Sequence, residues 1–179
     1  SISLATDEAE ARAIRDSELD SAIILAYNPT QPGVEGSLAV LETGGQAREK
    51  GLLDAARDMG INNMLIDPAV LPLGSGAGAA LRFSVAAKAR LGYPVGSGIH
   101  NAVSSWPWLA GKGAAAKRGC DAAAAAMQLL SAADFLLYGP IESAEIIFPA
   151  AAMADILIAE AVQDLEIAPS DAHPLHRLV

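Results

Sequence analysis

Apolar residues along the chain fall into short continuous runs that alternate with longer stripes at helical spacing. The short runs lie at residues 21–27, 63–67, 94–98 and 133–138. The first two end in Asn28-Pro29 and Asp67-Pro68, which are turn-forming pairs. Short apolar runs bounded by turn residues are typical of parallel strands covered on both faces. The pattern therefore predicts four strands.

The stretches between these runs carry apolar residues on one side of a helix. We predict helices at residues 7–16, 34–41, 50–59, 79–91, 120–130 and 143–165. Thr6 is the expected cap of the first helix, and Gly60 and Gly92 are natural helix stops. The last helix is expected to break or restart at Pro149. Residues 168–179 are expected to dock on the surface, with structural roles for His173 and His176.

Alternating strands and helices predict a single α/β domain over residues 1–179, built on a parallel sheet. A doubly wound sheet suits this length, whereas a (β/α)₈ barrel needs about 250 residues, so the chain would be about half of one. The strands end in polar or turn residues, at Asn28, Asp67, His100-Asn101 and Tyr138-Gly139. Such a ring favours the barrel, because an open sheet concentrates functional residues near one switch point.

The composition of the chain excludes or disfavours several classes of protein. Hydrophobic residues make up 52% and charged residues 18%, which excludes a disordered chain. A net charge of −9 without a basic block argues against nucleic-acid binding. The chain lacks a run of about 18 apolar residues, so we expect no transmembrane segment. The single cysteine, Cys120, fits a reducing compartment and is expected to be a buried helix residue.

The stretch from residue 93 to 108 is the first candidate for chemistry. Asn101 can donate and accept hydrogen bonds at once, which suits a ring whose protonation changes during a reaction. An Asx-turn role is the alternative. His100 could act as an acid, a base or a packed neighbour. Because no second His or Cys lies at metal-ligand spacing, we expect no metal site. Gly98, just before this pair, would let a ligand approach the backbone closely.

A carboxylate at a strand exit is the second candidate. Pro68 fixes the chain direction after Asp67, so the carboxylate is expected to point over the sheet edge. There it could accept paired N–H donors from a heterocycle. A turn or helix-capping aspartate is the alternative. Glu142 and Glu145, which follow the fourth predicted strand, are expected to cap a helix rather than form an acid/base pair.

Two further motifs remain open. The glycine-rich loop from Gly74 to Gly78 precedes a helix and could bind phosphate, although it lacks the Lys-Ser/Thr of a P-loop. A flexible turn is the other interpretation. Trp106 and Trp108 flank Pro107, and we expect them to pack on the rim of the domain as a rigid lid.

Four loops and the tail together carry a resemblance to a known family. From residue 54 the chain reads Asp-Ala-Ala-Arg-Asp-Met-Gly, and from residue 65 Leu-Ile-Asp-Pro-Ala-Val-Leu-Pro-Leu-Gly-Ser-Gly-Ala-Gly. Residue 92 begins Gly-Tyr-Pro-Val-Gly-Ser-Gly-Ile-His-Asn-Ala, residue 137 begins Leu-Tyr-Gly-Pro-Ile-Glu-Ser-Ala, and residue 173 begins His-Pro-Leu. In this order they resemble the family of the H subunit of tetrahydromethanopterin S-methyltransferase. They resemble equally its bacterial relatives, which move a methyl group between a corrinoid protein and tetrahydrofolate.

The resemblance implies a pterin-binding (β/α)₈ barrel, of which this chain would be the C-terminal half with about four βα units. The implied substrate is methyltetrahydrofolate or methyltetrahydromethanopterin. The implied methyl acceptor is Co(I) cobalamin on a separate corrinoid protein, or the reverse transfer applies. Carried over to this chain, Asp67 holds the pterin ring and Asn101 stabilises N5 protonation. Gly98, His100 and Asn28 are expected to contact the same ligand.

The chain also departs from the family pattern. Family members are roughly twice as long in a full barrel, so the N-terminal half, with an Asn before Ser1-Ile2 and an earlier Asp, is expected to lie outside this chain. A half barrel exposes strand edges, so a homodimer or association with the missing half is expected. The methanogen enzyme sits in a membrane complex and the bacterial relatives are soluble; we expect a cytoplasmic protein, or one peripheral to such a complex.

Two other functions stay open. One is a non-catalytic half barrel that binds a corrinoid protein or a methyltransferase complex. The other is an α/β enzyme that uses the loop from Gly74 to Gly78 for a phosphate ligand. The sequence does not distinguish folate from methanopterin, nor the direction of transfer.

Overall fold

A computed structural model describes residues 1–178 of the chain. In chain order its elements are α1 (Glu8–Arg15), β1 (Ser21–Leu25), α2 (Val34–Glu42), α3 (Leu52–Asp58), β2 (Asn63–Asp67), α4 (Gly78–Leu91), β3 (Gly96–Ser97), α5 (His100–Ser104), α6 (Pro107–Ala110), α7 (Gly113–Leu130), β4 (Phe135–Leu136) and α8 (Ala144–Ala161). Short 3₁₀ helices follow at Ile141–Ser143, Gln163–Leu165 and Pro174–Arg177. Strands and helices thus alternate as the sequence predicts.

The strands lie side by side in chain order and all pair in parallel. β1 pairs with β2 from Ser21 to Leu25, and β3 pairs with β4. A parallel bridge between Ile66 and Val95 connects the two pairs. This order lacks the reversal that defines a doubly wound sheet. The predicted α/β class is confirmed, while the half barrel stays a prediction.

Helix ends follow local capping chemistry. Asp7 accepts a hydrogen bond from the Glu10 N–H, and the Glu10 side chain accepts one from the Asp7 N–H, which makes a capping box. The prediction that Thr6 caps α1 was wrong, because its hydroxyl instead accepts from the Ser3 N–H. The predicted stop at Gly92 is confirmed, since this residue ends α4 in the left-handed region with φ 72°.

Several predicted bounds were wrong. β3 and β4 have two residues each, because only those positions form the ladder. The short helices α5 and α6 were not predicted, and α7 begins at Gly113, well before the predicted start. α8 continues through Pro149 without a break, contrary to expectation. Pro149 cannot donate to the Glu145 carbonyl four residues earlier, and the helix nevertheless continues on both sides of it.

Alternate strand residues face opposite sides of the sheet. One side packs on the helices and forms the main core, which includes Ile24, Leu41, Leu52, Met64, Ile66, Phe83 and Val95. Ile23 and Leu65 face the other side, where Leu65 is 37% exposed. An open cavity of about 480 Å³ lies there, lined by both residues and by the amino ends of β1 and β2. The helices therefore cover one face of the sheet, and the other is only partly covered within residues 1–178.

A second core lies beyond the sheet, among α5, α6 and α7. It includes Ile99, Val103, Leu109 and Ala124. Cys120 packs against this cluster but is only half-buried, so the prediction of a buried thiol was wrong in degree. The cluster holds the segment after β3 in place against α7.

The C-terminal segment packs on α8 through Pro174–Arg177. His173 accepts a hydrogen bond from the Leu175 N–H through Nδ1, which caps this 3₁₀ turn. The predicted docked tail is thus confirmed up to residue 178, and Val179 lies outside the described residues. Within residues 1–178, no helix combines the length and apolar character needed to cross a membrane.

Candidate functional site

The carboxyl ends of the four strands meet at one edge of the sheet. Leu25 is paired with Asp67 across β1 and β2, and Gly96 is paired with Phe135 across β3 and β4. Extending the Ile66–Val95 bridge by one residue places Asp67 beside Gly96. One row therefore crosses the whole sheet at this edge, and the loops that leave it carry the predicted site residues.

Asp67 is a buried carboxylate at the end of β2, with 9% of its surface exposed. Burial raises the pKa of Asp67 above its ordinary value, and the hydrogen bond from the Ala69 N–H to Oδ1, at 2.8 Å, lowers this pKa in part. No donor among residues 1–178 reaches Oδ2. The residue thus forms the turn that was the alternative interpretation, and it still keeps one oxygen able to accept an N–H from a ligand.

Asn101 lies in the first turn of α5, and its side chain is exposed. Its backbone N–H donates to the Gly98 carbonyl at 2.9 Å. The side-chain amide makes no hydrogen bond to any part of the chain that the structure describes, so it does not form the alternative Asx turn. Both polar atoms of the amide can therefore meet a ligand.

Gly98 is the residue on which the Asn101 side chain rests. A methyl group added at Gly98 would lie 2.9 Å from Nδ2 of Asn101 and 3.3 Å from Cε1 of His100. Real side-chain carbon atoms essentially never come within 3.0 Å of another atom, so the amide of Asn101 would have to shift, whereas the contact with His100 would only be tight. The absence of a side chain at Gly98 therefore leaves the amide of Asn101 in its place.

His100 connects the exits of β3 and β4. Its Nδ1 lies 3.0 Å from the carbonyl oxygen of Leu137, and the ring is half-buried. A carbonyl oxygen can only accept, so Nδ1 carries the proton in this contact. Within residues 1–178, no group of three or more His, Cys, Asp or Glu side chains is placed to hold a metal ion.

Asn28, at the exit of β1, uses both polar atoms of its side chain in hydrogen bonds to the segment that follows it. Its Oδ1 accepts from the N–H and the hydroxyl of Thr30, at 3.1 and 2.7 Å, and from the Gln31 N–H at 3.3 Å. Its Nδ2 donates to the Gly36 carbonyl at 3.4 Å, and only 1% of the residue is exposed. Asn28 organises the loop, and its predicted contact with a pterin stays a prediction.

The glycine-rich loop is partly closed by its own hydrogen bonds. The N–H groups of Ala79 and Ala80, at the start of α4, donate to the carbonyls of Gly76 and Ala77, and the Ser75 N–H donates to the Pro72 carbonyl. Phosphate sites at helix termini depend on free N–H groups, so these three are not available to an anion. These bonds make the loop a turn, and the phosphate interpretation stays a prediction.

The two tryptophans form a stacked pair rather than a packed lid. Their ring centroids are 4.9 Å apart, and the Lys112 ammonium lies 4.3 Å from the centroid of Trp108. Trp108 is 58% exposed, so the prediction that the pair packs on the rim was wrong for this ring. The expectation that Glu142 and Glu145 cap a helix was wrong, because no side chain caps the start of α8 or of the 3₁₀ turn before it. Glu145 lies in the first turn of α8, and Glu142 lies in the preceding 3₁₀ turn.

Sequence reasoning missed two contacts that shape the site. A methyl group at Gly96 would lie 2.1 Å from the Phe135 carbonyl oxygen and 2.6 Å from Cγ of its ring, so that ring packs against the glycine beside Asp67. A glycine inside a strand was the available signal, since it marks close backbone approach. Behind β3, Gln128 donates to Ser97 Oγ at 2.6 Å, with 1% of each residue exposed.

The family model and the relatives that match this chain all point to one family. A model of the family described as tetrahydromethanopterin S-methyltransferase MtrH subunit matches residues 1–170. The H subunit of the putative methyltransferase mtx from Methanosarcina mazei is 48% identical over 182 residues, covering 100% of this chain and 59% of that protein. The H subunit of tetrahydromethanopterin S-methyltransferase from Methanocaldococcus jannaschii is 47% identical over 191 residues, with 100% and 60% covered. Its counterpart from Methanothermobacter thermautotrophicus is 45% identical over 182 residues, with 100% and 59% covered.

The chain spans about three fifths of the length of these curated relatives. The family match covers almost all of the chain, including every strand and each loop of the candidate site. By its sequence, the chain belongs to the family of the MtrH subunit of tetrahydromethanopterin S-methyltransferase.

Proposed function

We propose that this chain is part of a methyltransferase that moves a methyl group between N5 of a tetrahydropterin and the Co(I) cobalamin of a corrinoid protein. One observation carries the proposal: Asp67 and Asn101, at the exits of β2 and β3, keep polar atoms that no residue in 1–178 occupies. A carboxylate can accept two N–H donors from a pterin ring. An amide can hydrogen-bond N5 in either protonation state. The names of the relatives favour tetrahydromethanopterin over tetrahydrofolate as the pterin.

The proposed roles follow from the charge that develops at N5. When the bond from N5 to the methyl carbon breaks, its electron pair stays on N5, which then takes up a proton. A tertiary amine is a poor leaving group, so hydrogen bonding at N5 lowers the barrier. In this proposal Asn101 supplies that hydrogen bond and Asp67 holds the ring. The corrinoid of the partner protein supplies the cobalt that takes or gives the methyl group.

The fold that we propose for the complete protein is a pterin-binding (β/α)₈ barrel, with this chain as its C-terminal half. The strand order supports it, since consecutive parallel strands are neighbours in such a barrel. The partly covered face with Ile23 and Leu65 would be its interior. Association with the rest of the barrel, or with a second copy, would then cover that face and the free strand edges. A cytoplasmic location also stays a prediction.

Calorimetric titration of the complete protein with methyltetrahydromethanopterin and methyltetrahydrofolate tests the proposal. We expect one of them to bind, and we expect Asn101→Ala to lose methyl transfer with little loss of pterin affinity. Ser104→Ala is the matched control, because this exposed serine lies on the same helix. A protein that binds neither pterin contradicts the function. Binding without any transfer to a corrinoid protein would instead support the non-catalytic alternative.

A further inference from the structure

The imidazole of His100 has no role in the proposed chemistry, although it lies beside Asn101. The ring follows β3 directly and reaches across to the exit of β4, where Nδ1 meets the Leu137 carbonyl at 3.0 Å. Thirty-seven residues separate the two in sequence. Because Nδ1 donates, the neutral ring carries its lone pair on Nε2. The hydrogen bond is therefore a tether between two neighbouring strand exits.

Two glycines leave the space that this ring occupies. A methyl group at Gly98 would lie 3.3 Å from Cε1, and one at Gly139 would lie 3.5 Å from Nε2. The ring thus lies between the loop after β3 and the loop after β4. A methyl group at Gly98 would crowd the ring, whereas one at Gly139 would make an ordinary van der Waals contact with it.

The same turn carries Asn101. Its N–H bonds to the Gly98 carbonyl at 2.9 Å, and its side-chain nitrogen rests on Gly98. The exposed amide has no hydrogen bond of its own within residues 1–178, so its direction depends on this turn and on the contact with Gly98. A movement of this turn relative to β4 would therefore also move the amide of Asn101.

We propose that His100 is a positioning residue, which holds the amide of Asn101 at the pterin N5 through its Nδ1–H bond to Leu137. This rests on the proposed function. His100 itself exchanges no proton with the substrate. Its place between two glycines fixes the ring, its hydrogen bond fixes the first turn of α5, and the turn fixes the amide. Misplacement of a reacting group by about 1 Å can cost about a hundredfold in rate.

Substituting His100 by Asn or by Gln distinguishes the roles of its two ring nitrogens. The side-chain nitrogen of Asn superimposes on Nδ1 of His, and that of Gln superimposes on Nε2. In the complete protein, His100→Asn should retain a kcat within about threefold of wild type, because it keeps the donor to Leu137. His100→Gln should lose at least about tenfold in kcat, with little change in the dissociation constant of the methyl pterin.

The reverse order, with His100→Gln active and His100→Asn inactive, would assign the chemistry to Nε2 and overturn the proposal. Equal rates in the two variants would overturn it as well, because the donor would then not matter. Melting temperatures of both variants show whether each is folded at the assay temperature. A loss of activity in His100→Gln that is removed by assaying well below its melting temperature would reduce the role to stability and count against positioning.

Nitrogen-15 NMR of the imidazole tests the tether without any assay of activity. We expect the Nδ1–H tautomer for His100, and a ring protonated at Nε2 alone overturns the tether. A wild-type protein that binds no pterin would contradict the proposed function, while the tautomer would still decide whether the hydrogen bond exists. The two failures are therefore distinguishable.

Discussion

The side-chain nitrogen of Asn101 rests on the backbone of Gly98, where a single added methyl group would lie 2.9 Å away. Gly98→Ala should therefore push the amide off its position. We expect a fall in methyl transfer of at least about tenfold, because the amide no longer meets N5 in the productive geometry. Steady-state kinetics of the complete protein with a corrinoid acceptor would measure it. An unchanged kcat would show that the position of the amide is irrelevant.

A matched glycine controls for the substitution itself. Gly119 lies in the exposed part of α7, and an added methyl group there meets no atom within 4 Å. Gly119→Ala should leave kcat unchanged and raise the free energy of unfolding by about 0.5–1 kcal/mol, because glycine is a poor helix residue. Thermal unfolding and the same kinetic assay read out both effects.

Gly96→Ala tests the close packing of β3 on β4. The added methyl group would lie 2.1 Å from the Phe135 carbonyl oxygen, and a backbone oxygen cannot move aside without breaking the strand pair. We expect a loss of about 1–3 kcal/mol in the free energy of unfolding, typical of overpacking. Urea unfolding measures the free energy of unfolding of Gly96→Ala and of the control Gly119→Ala. If Gly96→Ala is as stable as wild type, the close contact with Phe135 is refuted.

Asp67 should make stability fall as the pH rises. Below its ordinary pKa of about 3.9 the carboxyl is protonated both folded and unfolded. Burial raises the pKa of Asp67 in the folded state, so between the two values the unfolded chain ionises first, which favours unfolding. Above the raised pKa of the folded state, the loss of stability reaches its full size and no longer grows with pH.

Asp67→Asn removes this dependence while its amide oxygen can still accept from the Ala69 N–H. The variant should gain stability relative to wild type as the pH rises above about 4, and it should lose affinity for the pterin because the amide accepts fewer N–H donors. Urea unfolding over an acid-to-neutral series measures the first effect and calorimetry the second. Asp171→Asn, at an exposed position, is the control. A stability difference that is constant with pH would contradict the expected penalty.

Ser97→Ala should cost about 1–3 kcal/mol, because it leaves the buried Nε2 of Gln128 without an acceptor. In a Gln128→Met background the same change should cost much less, since no donor is then stranded. A double-mutant cycle from urea unfolding measures the coupling between the two side chains. Additive effects would mean that the hydrogen bond contributes nothing measurable.

The sequence predicted the regular elements best where turn residues bound them. β2 runs from Asn63 to Asp67 as predicted, because Gly60 and Pro68 enclose it, and α4 ends where Gly92 permits a left-handed residue. The short helices α5 and α6 have too few residues for a periodic pattern. Pro107 is the first residue of α6, where a missing N–H costs nothing.

The sequence identified individual residues of the candidate site but not the contacts between them. Asp67 and Asn101 stand out because each follows a strand and carries a polar side chain in a turn. The contacts between loops were not predictable, since His100 and Leu137 are 37 residues apart and the acceptor is a backbone carbonyl that any residue could supply. Asn28 has the same signature as Asp67 in sequence, and only its hydrogen bonds reveal that its own loop uses every polar atom.

Both tryptophans of the chain belong to one stacked pair, a few residues after Asn101. Within this chain, fluorescence excited at the indole band therefore comes only from the segment that follows Asn101, and the core beneath α2–α4 contributes none. This emission is a built-in local optical probe, which can follow events at α5 and α6 in real time without an attached dye.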